Sequence, residues 1–263
     1  RDRVQGAELG VKGGPKVPII EHPDVRRMLM EMKSRIHAMR GLLYEVAGAH
    51  DLAHAHPDAD IRTEAQRRVD LLTPIAKGWC TETGTLIASL AVQIHGGMGY
   101  IEETGVAQHW RDSRITTIYE GTTGIQANDL VGRKLIRDQG ARARELLGTI
   151  TRECQALAEG PLAAEAAALA DVVAQARRAV DRVIAATGQD MRLPFAGAVP
   201  LLHMLGILLG GRVLLRAAAA TTDADATAIL RFYTAHSLPQ AAAEAQAATH
   251  GAALVFALPT DRL

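Results

Sequence analysis

The arrangement in this chain best suited to chemistry is a carboxylate on a glycine-flanked loop, Tyr119-Glu120-Gly121-Thr122. Gly121 lets another molecule's polar groups approach the backbone closely, and helical patterns on either side hold the Glu120 side chain in place. A carboxylate so placed suits general-base work. Removing a proton next to a carbonyl group needs such a base, together with a donor that stabilises the developing oxygen anion. Arg111, Asp112 and Arg114 just upstream read as an ion-paired scaffold for the loop rather than as catalytic groups. Tyr119 stays open between two roles, lining a pocket or packing as a core aromatic.

The elements that must position this loop are helices. Aromatic residues make up only 3% of 263 residues while alanine and leucine abound, which favours helix over sheet and predicts an all-α protein. His22-Pro23 opens a long helix whose Val25, Met28, Leu29, Met32, Ile36, Met39, Leu43 and Val46 recur at three- and four-residue steps and form its expected core face. The polar run 51–60 with Pro57 ends it. A second long helix spans about 61–94, with a kink expected at Pro74, and Gly96, Gly97 and Gly99 terminate it. A short helix over 104–112 precedes the Glu120 loop. Thr122 or Thr123 then caps a helix running through Ile136, with Leu130 and Leu135 facing inward. Four alanine-rich helices over 142–158, 161–187, 195–221 and 223–250 follow, and close packing without a roomy pocket is expected among them.

Charge and composition exclude several functions. Twenty-nine basic residues balance twenty-nine acidic ones, so no overall field recruits nucleic acid or an anionic membrane. No apolar run looks long enough to span a bilayer, since Pro200–Leu209 is interrupted by His203 and Gly206 and followed by Arg212. Cys80 and Cys154 match no metal spacing and read as buried free thiols of a reducing compartment. His50, His54 and His56 read as a solvated helix end, so no metal site is expected. A cytoplasmic location follows from these features together.

The ordered runs Gln93-Ile94-His95-Gly96-Gly97-Met98-Gly99-Tyr100, Glu102-Glu103-Thr104-Gly105, Arg111-Asp112-Ser113-Arg114 and Tyr119-Glu120-Gly121-Thr122 resemble the C-terminal helical domain of the acyl-CoA dehydrogenases. The resemblance implies a helical bundle over residues 1–140 and a smaller additional helical domain over 141–263, of which 193–263 resembles the extra domain of a large bacterial subfamily. It implies an enzyme that oxidises acyl-CoA to trans-2-enoyl-CoA with FAD. Glu120 would be the α-proton base, and its own N–H would bind the thioester carbonyl. Tyr119 and Gly121 would sit at the substrate.

The same likeness places Gln93, Gly96 and Gly97 near the adenosine-diphosphate part of an FAD held mainly by a neighbouring subunit, where open glycine N–H groups favour phosphate. Arg3 would meet the pyrophosphate across that interface, and Thr122 would present a hydroxyl near the cofactor. Gln5, Gly6 and Gly124 depart from the family pattern. A homodimer or dimer of dimers and an electron-transfer flavoprotein as electron acceptor are further implications. The opening Arg1-Asp2-Arg3-Val4-Gln5-Gly6, without an initiator Met, resembles a run from the middle of that subfamily, so the chain is expected to be the C-terminal part of a longer protein. The competing readings are a flavin oxidase on the same scaffold and a non-catalytic helical interaction module.

Overall fold

The computed structural model describes residues 2–263. Helices make up nearly all of it, as composition predicts, but the chain enters through an antiparallel ribbon that composition does not announce. Its strands β1 (Val4–Ala7) and β2 (Lys16–Pro18) pair Val4 with Pro18 and Ala7 with Lys16 across an irregular register. Two strands of four and three residues are too short to register in an overall composition.

Helix α1 (Pro23–Ala55) starts with proline at its first position, where the missing N–H costs nothing, and stops before Pro57, which forces His56 into extended backbone. Helix α2 (Ala59–His95) is capped by Asp58, whose carboxylate accepts from the N–H groups of Asp60 at 2.8 Å and Ile61 at 3.4 Å. At 37 residues α2 is about 55 Å long and runs unbroken through Pro74. It ends at Gly96, whose φ of +61° a glycine reaches without steric cost. A single turn α3 (Gly97–Tyr100), helix α4 (Val106–Ile115) and helix α5 (Thr123–Asp129) follow, α5 loosening into a π-helical stretch over Leu130–Ile136. Leu130 and Leu135 are fully buried, as their spacing requires.

The second part of the chain supplies α6 (Ala141–Ala156), α7 (Ala163–Ala186), the short α8 (Arg192–Ala196), α9 (Ala198–Ala219), α10 (Ala224–His236) and α11 (Gln240–Gln246). The helix expected over 223–250 is broken at Ser237-Leu238-Pro239, because Pro239 cannot donate a helical hydrogen bond. One continuous apolar core runs from Leu42, Leu72 and Trp79 through Leu130 and Leu147 to Val180, Leu208 and Tyr233.

Helix α9 is the centre of that core. Its Leu201, Leu202, Met204 and Leu208 are fully buried, and it packs against α1, α2, α5, α7, α10 and α11. The close approach depends on missing side chains: a Cβ on Gly206 would lie 2.2 Å from Trp79 Cγ, and one on Gly78 would lie 2.8 Å from Leu202 Cδ1. By length and composition α9 could cross a membrane, contrary to the expectation that no such run exists. Its most apolar window has mean hydropathy 1.8, yet 78% of that window is buried inside the protein. Arg212 within it is 2% exposed, its charge met by acids from neighbouring helices rather than by water.

The core face of α1 also differs from the expected stripe. Met28 is buried, but Leu43 is 47% exposed and Arg35, Ala38 and Leu42 take the inner positions. Partners distant in sequence decide which residues face inward there, as Arg35 shows by donating to Gln240 on α11. The alanine-rich helices do pack tightly, but they also leave an open groove of about 1210 Å³ between the α1–α2 turn, α6 and the end of α9. Tyr44, Leu52, Ile61 and Leu157 line it above Glu45 and Arg212.

Candidate active-site loop

The loop between α4 and α5 holds Glu120 in an uncommon backbone state. Its φ is +52°, followed by +91° at Gly121, and Gln139 is the only other non-glycine residue with positive φ among the described residues. A left-handed glutamate costs about 1–3 kcal/mol and persists only where its surroundings impose it. They do so here through hydrogen bonds. The Lys77 ammonium, on α2, donates to the carbonyls of Thr116 (3.1 Å), Tyr119 (3.1 Å) and Gly121 (2.6 Å). Gln126 Nε2 donates to the Glu120 carbonyl at 3.3 Å, and Thr123 Oγ1 to Glu82 Oε1 at 2.6 Å. Thr122 caps α5, its hydroxyl accepting from Ile125 N–H at 3.3 Å.

The Glu120 backbone N–H has no acceptor among the described residues, and the side chain is exposed. Tyr119 is 50% exposed, which removes the core-aromatic role and leaves its ring 5.7 Å from Lys77 Nζ. Trp110, Ile115, Ile118 and Ile125, all within ten residues of Glu120 in the chain, expose apolar side chains. Of the expected scaffold, Arg111 pairs not with Asp112 but with Glu102, through two bonds of 2.8 and 2.9 Å that hold the Glu102 carboxyl below its usual pKa. Arg114 donates to the buried Thr117 hydroxyl at the start of the loop.

The remaining candidates gather at the far end of α2, about 27 Å along its axis from Lys77. Arg3 Nη1 donates to the His95 carbonyl at 2.8 Å, which ties the start of the entry ribbon to the helix end beside Gly96. Gly97 has open space where a Cβ would stand, and Gln93 is exposed beside it. Gly99 is packed instead, since a Cβ there would meet the Val92 carbonyl oxygen at 2.3 Å. The Arg3 guanidinium makes no other hydrogen bond among the described residues, so most of its donors remain for an anion. The structure thus separates the candidates into a loop group, Tyr119 to Thr122, and a helix-end group, Arg3, Gln93, Gly96 and Gly97.

Lys77, Glu82 and Gln126 escaped the sequence reading. The signal for Lys77 was available: it is the single charge within Pro74-Ile75-Ala76-Lys77-Gly78-Trp79, an otherwise buried stretch of α2. His50 and His54 stack at 4.1 Å, and His56 Nδ1 accepts from Asp58 N–H at 3.1 Å. Both cysteines are free; burial pushes the Cys80 thiol up to about 12 and, with the neighbouring Glu153, that of Cys154 to about 11.

Comparison with known proteins gives two family matches that together cover most of the chain: residues 13–136 match the acyl-CoA dehydrogenase C-terminal domain, and 146–259 match an acetyl-CoA dehydrogenase C-terminal-like domain. The chain is 47% identical to 3-methylmercaptopropionyl-CoA dehydrogenase of Ruegeria pomeroyi, over 80% of its own length and 36% of that protein. The chain spans between 35% and 39% of the length of the first curated relatives it matches. Two solved structures share the fold. An acyl-CoA dehydrogenase of Bacillus anthracis complexed with FAD superposes with a TM-score of 0.69 at 18% identity, over 93% of this chain and 44% of that one. Caenorhabditis elegans ACDH-11 in complex with C11-CoA does so with 0.67 at 21% identity, over 88% and 39%.

Proposed function

The chain belongs to the acyl-CoA dehydrogenase family, and we propose that it is the C-terminal part of a flavin-dependent enzyme that oxidises acyl-CoA to trans-2-enoyl-CoA. The observation that carries this reading is Glu120, held left-handed beside Gly121 with its backbone N–H unpaired among the described residues and its carboxylate exposed. One residue then supplies both things α-proton removal needs: a base in its side chain, and in its backbone a donor for the thioester oxygen. Gly121, at a φ of +91°, permits the sharp turn that presents Glu120, and Tyr119 borders the acyl chain.

Residues 1–140 serve as the catalytic bundle and 141–263 as an additional helical domain that buttresses it. FAD suits the helix-end group, because Arg3 keeps guanidinium donors free and Gly97 leaves open space for a pyrophosphate. Bound FAD would supply the acceptor for the β-hydride. Gln93 and Gly96 border the same site, and Thr122 lies on the loop side. The 27 Å between the two groups suits a dimer in which the helix end of one subunit meets the flavin of the other. An electron-transfer flavoprotein as acceptor and a cytoplasmic setting belong to the same proposal.

The test is Glu120→Gln in the full-length flavoenzyme, followed by rapid-mixing spectroscopy of flavin reduction. The variant is expected to keep FAD and bind acyl-CoA while losing at least ~10²-fold in reduction rate. Bleaching at the wild-type rate would overturn the assignment, and rapid reoxidation by oxygen in the wild type would favour an oxidase.

A further inference from the structure

We infer that Lys77 is a positioning residue for the base: its ammonium holds Glu120 in its left-handed state and aims the Glu120 N–H at the open face. The inference rests on the reading of Glu120 given above. An ammonium has three N–H donors and no acceptor. At Lys77 three carbonyls, of Thr116, Tyr119 and Gly121, converge on it, so its hydrogen-bonding capacity is fully used on this one loop.

The placement of those carbonyls matters more than their number. The Tyr119 carbonyl and the Glu120 N–H belong to one trans peptide plane and point in opposite directions. Fixing that carbonyl on Lys77 therefore turns the Glu120 N–H away from α2, to the side where no protein acceptor meets it. The next peptide plane is held at the Glu120 carbonyl by Gln126, and the one after at the Gly121 carbonyl by Lys77. All three planes around residues 120 and 121 are thus pinned. Bonds from a charged donor are about twice as strong as neutral ones, which suits them to offset a strained φ. Gln126 supplies one neutral bond and cannot do this alone.

Lys77→Met keeps the reach and apolar contacts of the side chain but removes all three donors. In the 263-residue chain, hydrogen exchange at the loop amides of Tyr119 and Thr123, which bond to Ile115 and Thr117, is expected to quicken about 10-fold or more while protection of α9 is unchanged. In the full-length enzyme the limiting rate of flavin reduction should fall about 10- to 10²-fold, with acyl-CoA affinity changed far less. Lys77→Cys alkylated with 2-bromoethylamine restores an ammonium at nearly the same reach and should recover both readouts. Cys80 and Cys154 are poor competitors because burial raises their thiol pKa values.

Unchanged exchange and an unchanged reduction rate in Lys77→Met would overturn the inference, as would failure of the alkylated variant to recover the rate once exchange is restored. If Glu120→Gln is inactive and Lys77→Met normal, this inference alone falls. If Glu120→Gln reduces flavin normally, the assignment of the base falls and the positioning role with it.

Discussion

Arg212 grips the Glu153 carboxylate with two donors, Nε at 2.6 Å and Nη2 at 2.7 Å, and reaches Glu45 with Nη1 at 2.6 Å. Arg68 and Arg216 approach Glu45 from the exposed side. One buried guanidinium thus ties α9 to α6 and to α1, at the base of the open groove.

Arg212→Met should therefore destabilise strongly, since it leaves Glu153 without a cation and Glu45 with only the more exposed Arg68 and Arg216. The expected loss is about 3–5 kcal/mol, read from the denaturant midpoint. Adding Glu45→Gln and Glu153→Gln should recover much of it, because the neutral set no longer buries unpaired charge. A triple variant no more stable than the single one would show that packing, not charge, is what Arg212 contributes.

Burial pushes the Glu45 carboxyl upward, but Arg212 and Arg68 outweigh that and hold it below its ordinary value of 4.5. A lowered carboxylate pKa gives stability that is complete above the unfolded value and is lost as pH falls through the folded one. Wild type should accordingly lose its advantage over Glu45→Gln as pH falls through and below the ordinary value of 4.5. Melting temperatures of the two across that range check the sign.

Gly206→Ala places a methyl group 2.2 Å from Trp79 Cγ, so α9 or the indole must move. Overpacking of this kind costs about 1–3 kcal/mol or more. Gly48 on α1 meets nothing within 4 Å, and Gly48→Ala should instead raise stability by about 0.5–1 kcal/mol. Opposite shifts in thermal midpoint are the expected result.

Arg3→Ala in the full-length protein should lower FAD content and weaken the dimer together, because the same guanidinium would serve the pyrophosphate and the subunit boundary. Equilibrium dialysis and sedimentation velocity measure the two. Full FAD occupancy in an intact dimer would reduce Arg3 to a tether for the His95 carbonyl.

What was legible in the sequence follows from how local its cause is. Proline at position 23 and Gly96 after α2 mark helix ends through groups a few residues away, and Glu120 stands out through its neighbours Tyr119 and Gly121. The inner face of α1 was not legible, because helices far along the chain decide it: Arg35 is buried with its guanidinium on Gln240, 205 positions further on. Lys77 stands out as a lone charge in an apolar run, but what it holds was not legible. It lies 39 to 44 positions from the carbonyls it holds, a distance at which spacing carries no signal.

Helix α9 sets the order in which the molecule can be completed. A ribosome releases α1 and α2 before α9, and the helix that covers Leu72, Ile75 and Trp79 begins about a hundred residues after α2 ends. During that interval the hairpin of the two longest helices carries an unsealed apolar seam, with Gly78 and Trp79 waiting for Leu202 and Gly206. Synthesis order and burial order run against each other here, so chaperone demand in the nascent chain should end abruptly once residues near Leu215 leave the exit tunnel.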